Sequence, residues 1–128
     1  MLDTGSLAQF TGTESYHRFS ILFRNIVLTD GAMYVAKNGG TNGAFWLMDA
    51  IASHQPAARK HAALRDIQFW KLTVKPDHSC TLECRADSDK PVLIKQEIEY
   101  TDFDQPEIDL WVQPGGDNLW VIMLPSEY

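Results

Sequence analysis

Polar and apolar side chains alternate from residue 69 onward, and before that point they do not. Residues 69–74, 80–86, 92–100, 108–113 and 119–124 are five strand candidates, and all but the last, which is apolar throughout, show the period of a strand with one buried face. Between them lie Pro76-Asp77, Asp87-Ser88-Asp89-Lys90-Pro91, Asp102-Phe103-Asp104-Gln105-Pro106 and Pro114-Gly115-Gly116-Asp117, all turn chemistry. Connections this short predict antiparallel neighbours and, most simply, a meander. Cys80, Leu82, Cys84 and Ala86 share one face of the second strand, opposite Thr81, Glu83, Arg85 and Asp87. In the third, Val92, Ile94, Ile98 and Tyr100 oppose Lys95, Glu97 and Glu99, so one side of the sheet is expected to be wet.

Upstream the period is helical where it can be read. Thr29-Asp30-Gly31 reads as a helix start, with Asp30 or Thr29 offering an oxygen to first-turn amides, and Asn38-Gly39-Gly40 as its end. Ala44-Phe45-Trp46-Leu47-Met48-Asp49-Ala50-Ile51-Ala52 is apolar on nearly every side, as a helix central to a core would be. Pro56 closes it, and 57–64 is a weaker, basic helical stretch. Thr11-Gly12-Thr13-Glu14 marks a turn, whereas Ile21-Leu22-Phe23 and Ile26-Val27-Leu28 fit strand or helix, with a lean to extended structure. The expected fold is α+β: N-terminal helices packed on a five-stranded, mainly antiparallel meander sheet, in a single domain over 1–128.

The pattern breaks in the last hairpin. If 114–117 is a four-residue loop, Val112 pairs with Leu119 and Trp111 with Trp120. Ile108, Leu110, Val112, Leu119, Val121 and Met123 then make a core face, yet the opposite face carries Trp111, Trp120, Ile122 and Leu124. A cross-strand aromatic pair contributes only about 0.2–1 kcal/mol, so this second apolar face should be sheltered. Residues 1–28 could fold across it; a homodimer contact or a protein partner could cover it instead, because a last strand at a sheet edge invites pairing and Trp is common in binding hot spots. The candidate partner-binding residues are Trp111, Trp120 and Ile122 with the acidic Glu97, Glu99 and Asp109.

Charge sharpens this expectation. The formal net charge of −6 is uneven: residues 1–64 carry Lys+Arg 5 against Asp+Glu 4, and residues 65–128 carry 6 against 13. Direct nucleic-acid binding is therefore disfavoured; its best candidates, Arg59, Lys60, His61 and Arg65, face a strongly negative half. No apolar run approaches the ~20 residues of a membrane span and no secretory signal precedes residue 10, so a cytoplasmic protein without membrane contact is expected. Cys80 and Cys84 would lie about 13 Å apart along one strand face, too far for a disulfide.

Candidate chemistry is sparse. Asp49 sits within the most apolar helix, where burial would raise its pKa, and marks the candidate pocket; His54 falls on another face of that helix. His17, His54, His61 and His78 show no metal-ligand spacing, and no nucleophile elbow surrounds Ser53. Gly39, Gly40 and Gly43 join two helices and so lack the strand-to-helix setting of a phosphate cradle. Asp102, Asp104 and Glu107 could hold calcium but do not follow EF-hand spacing. No cofactor or metal is expected.

Five phrases together resemble a small bacterial family of unknown function: Leu7-Ala8-Gln9-Phe10-Thr11-Gly12-Thr13, Thr29-Asp30-Gly31, Phe45 to Ala52, Tyr100-Thr101-Asp102-Phe103, and Leu124-Pro125-Ser126-Glu127-Tyr128. The run Arg59-Lys60-His61-Ala62-Ala63 departs from its pattern by being longer. The resemblance implies a phage, plasmid or mobile-element setting and an accessory or counter-defence role, with no catalytic residues to carry over. The expected function is a non-enzymatic protein-binding module; the alternative is a small-molecule binder or enzyme with a pocket around Asp49.

Overall fold

The computed structural model describes Leu2, Leu7, Gly12 and residues 15–128. Apart from Gly12, the expected turn at 11–14 lies outside them. The alternating segments form β3 (Gln68–Val74), β4 (Cys80–Arg85), β5 (Val92–Ile98), β6 (Glu107–Gly116) and β7 (Leu119–Met123), within a residue or three of the expected bounds. Two further strands lie upstream of Asp30: β1 (His17–Arg18) and β2 (Ile26–Leu28). The sheet therefore has seven strands rather than five, in the order β1-β2-β7-β6-β3-β4-β5.

That order overturns the meander. β3, β4 and β5 are consecutive neighbours, but β6 returns to pair with β3, and β7 lies between β6 and β2. The β2–β7 ladder is parallel and the others are antiparallel. β7 is thus interior, and β1 and β2 extend the sheet, while Phe19 and Phe23 between them pack against the core that holds Trp120, Ile122 and Leu124. The crossover from β5 to β6 is pinned at both ends: Thr101 donates its amide to the His78 carbonyl at 2.8 Å, and Val74 donates to Pro106 at 2.8 Å. Its carboxylates serve backbone amides. Asp104 accepts from Leu2 at 2.6 Å and Gly40 at 2.9 Å, and Asp102 accepts from Thr41 at 3.0 Å.

The helices are α1 (Asp30–Asn38), α2 (Phe45–Ser53) and the single-turn α3 (Gln55–Ala58). α2 buries Leu47, Met48, Ile51 and Ala52 and leaves Phe45, Asp49 and Ser53 exposed, the four-residue spacing of an outer stripe. Pro56 stands at the start of α3, where its missing amide is harmless, rather than ending α2. Val35, Leu47, Met48 and Ile51 pack with Trp70, Leu72, Leu82, Leu110, Val112 and Ile122 in one core. Two buried amides cross it: Gln55 and Gln68 exchange hydrogen bonds at 2.8 and 2.9 Å, and Gln68 Oε1 also accepts from the Trp70 indole at 2.8 Å. Neither amide is orphaned, which makes their burial tolerable.

The C-terminal segment closes the fold onto α1. Thr29 caps that helix, its hydroxyl accepting from the Ala32 amide at 3.2 Å. Glu127 completes the cap from 96 residues away, accepting from the Gly31 amide at 3.0 Å, the Thr29 hydroxyl at 2.6 Å and the Leu124 amide at 2.9 Å. A negative group at a helix N-terminus satisfies free amides and opposes the helix dipole. Gly31 is required here because a Cβ would stand 2.6 Å from Glu127 Oε1. Glu127→Ala should therefore destabilise the protein by about 1–2 kcal/mol in urea unfolding. Gly31→Ala should do so as well, although alanine is the better helix former.

Candidate functional site

β6 does not end at Gln113. It continues through Pro114 to Gly116, and the chain reverses over Asp117 and Asn118 at φ 50° and 63°. The two-residue turn sets Gly116 opposite Leu119, and a bulge between Pro114 and Gly116 takes back one residue, so that beyond it the hairpin register is shifted by three residues. Trp111 stands opposite Met123, Val112 opposite Ile122 and Trp120 opposite Pro114. Because three is odd, the two tryptophans fall on opposite faces of the sheet, and the expected Trp111–Trp120 pair does not exist.

Trp120 belongs to the helix-covered face. It packs against the main core with the Arg59 guanidinium 4.8 Å above its ring, and burial holds the Arg59 pKa below its ordinary value. Ile122 is fully buried on the same side. Trp120 stays partly exposed, and neither residue shares a face with Trp111, as a direct result of the register.

Trp111 lies on the other face, with an apolar cluster of the strand residues Val27, Val121 and Met123. Antiparallel β3–β6 pairing sets Phe69 opposite Trp111, and their rings stack at 4.3 Å and 23°. Tyr128, from the closing segment, meets the Trp111 edge at 5.4 Å. Beside this group runs a groove of about 470 Å³, apolar at Phe69, Trp111 and Pro125 and charged at Lys71, Arg85, Asp87 and Asp109. Lys71 lies 3.8 Å from both Glu107 and Asp109, and Arg85 lies 3.7 Å from Glu83. The Lys71 pairs, which face solvent, are weakly held and can exchange partners.

Of the residues singled out in the sequence, Asp109 alone joins Trp111 here. Glu97 is exposed on β5, 3.3 Å from Lys95, and Glu99 is exposed just beyond it, two strands from β3. Asp49 is exposed, not buried. It borders a wide, open groove of about 530 Å³ with Trp46, Ser53 and Gln96. Phe69, Lys71 and Arg85 were missed because their proximity to Trp111 depends on a β3–β6 pairing that a meander hides, and Tyr128 because no local pattern folds the segment after β7 back onto β6. Among the described residues no group of three or more His, Cys, Asp or Glu is arranged to hold a metal ion, and no helix is long and apolar enough to cross a membrane.

Cys80 and Cys84 are free and buried. Burial pushes the Cys84 thiol up to about 12, and burial together with the Glu97 charge raises Cys80.

The arrangement defines an α+β domain with one sheet face covered by α1 and α2 and an aromatic cluster on the other. The chain belongs to a family of unknown function, DUF6876, whose family model matches residues 3–128. No curated protein and no solved structure matches it significantly.

Two outcomes follow from this geometry. Trp120→Ala should lower stability by about 3 kcal/mol, and Trp111→Ala by about 1 kcal/mol, in chemical unfolding. A thiol that stays protonated when folded stabilises fully below pH 9, where the unfolded thiol is protonated too, and less as pH rises toward 12. The melting temperature should therefore fall over that range, with a shallower fall in Cys84→Ser.

Proposed function

We propose that this chain is a non-enzymatic protein-binding module whose contact surface is the open sheet face around Phe69, Trp111 and Tyr128. The observation that carries the reading is the stacked Phe69–Trp111 pair on the sheet face away from α1 and α2, beside a groove of about 470 Å³. Aromatic groups within a charged rim are the usual make-up of a binding hot spot. The rim holds both signs, Lys71 and Arg85 beside Asp87, Glu107 and Asp109, which suits a polypeptide bearing charges of both signs. The same carboxylates oppose a phosphate backbone. The two free cysteines suit the reducing cytoplasm, where we place this contact. An accessory or counter-defence role, as the family resemblance implies, would be exercised through it.

Proteins captured from a native-host lysate, then re-tested in purified form, provide the test. Binding should weaken at least about tenfold in Phe69→Ala/Trp111→Ala, whose circular-dichroism spectrum should stay that of the parent. Full binding by the folded double variant would place the contact elsewhere.

A further inference from the structure

β5 ends the sheet, and among the described residues it pairs only with β4. The opposite edge, β1, is two residues long, so β5 is the one long open ladder. Charged side chains usually keep such an edge solitary. Here their order has a different consequence. We propose that β5 is a self-association edge that pairs antiparallel with β5 of a second copy, about a two-fold axis through Gln96.

The register follows from symmetry and charge. A two-fold axis perpendicular to the sheet keeps each copy's open face on the same side, so only residues of the same parity can oppose each other. Centring the axis on Lys95 sets that lysine against itself, and centring it on Glu97 does the same to the glutamate. Centring it on Gln96 sets Lys95 of each copy against Glu97 of the other, on the open face. On the covered face the half-buried Ile94 then meets Ile98. Both charged side chains are available for this: Lys95 and Glu97 are 55% and 67% exposed and are held only by their 3.3 Å contact with each other. Unlike charges directly across a ladder favour pairing, and like charges oppose it. The contact is short, so the association belongs to the weak, concentration-dependent class. It lies apart from the Phe69–Trp111 face and is independent of that reading.

Sedimentation equilibrium of the full chain at low salt, from micromolar to millimolar concentration, tests the proposal. The mass should climb from 14.5 kDa toward twice that value. Glu97→Lys, which gives up the contact with Lys95 and stands across from the uncharged Thr81 in its own sheet, should remain monomeric over the range while keeping its circular-dichroism spectrum. Adding Lys95→Glu to that variant exchanges the signs and should restore the rise. A parent chain that stays monomeric at millimolar concentration would overturn the proposal. So would Glu97→Lys associating like the parent, or a folded charge-swapped double variant that stays monomeric.

Discussion

The last hairpin fills a gap in the middle of the sheet, and the rest of the architecture depends on the two ladders that hold it there. Without β6 and β7, β2 has no route to β3, and the helices that cross between them have nothing continuous to rest on. Once inserted, the hairpin supplies Ile108, Leu110, Val112 and Ile122 to the core beneath α1 and α2. Main-chain pairing on both sides fixes its position, and the apolar alternation fixes which face is buried. A slip of one residue would turn all four into the opposite face.

The C-terminal segment then serves two purposes in adjacent residues. Glu127 turns inward to the first turn of α1, and Tyr128 lies against Trp111 on the open face. Thr29-Asp30-Gly31 and Leu124-Pro125-Ser126-Glu127-Tyr128 are thus two halves of one structural device. Their joint presence is explained by a buried helix terminus that needs an acceptor, with no appeal to chemistry on a substrate. The same device ties the aromatic cluster to the helical layer, because both are anchored by neighbouring residues.

The sequence made individual elements readable and their long-range arrangement much less so. Strand period marked β3 to β7, and Thr29 and Gly39 marked the ends of α1, because alternation and capping are local properties. The hairpin register was lost at Pro114-Gly115-Gly116, which reads as a loop by composition but continues as strand. Asp117 and Asn118, residues that tolerate positive φ, were the signal of the true turn. Asp49 was misplaced because the composition of α2 outweighed its spacing; Phe45, Asp49 and Ser53 already form an outward stripe. The candidate site was half visible: Trp111 and Asp109 stood out, but Phe69 joins them only through a pairing between strands about forty residues apart. No local pattern encodes such a choice.

The hairpin's place at the centre of the sheet also bears on how the chain is made. Translation runs from the N-terminus, so β2 and β3 leave the ribosome well before the strands that must come between them. Until residues 107–123 emerge, each presents an unpaired edge, and the covered face lacks part of its core. Loop closure over such distances is slow and leaves apolar surface open to wrong partners. A nascent chain of this kind has reason to be met by a chaperone, and its final register is settled after synthesis has passed most of its length.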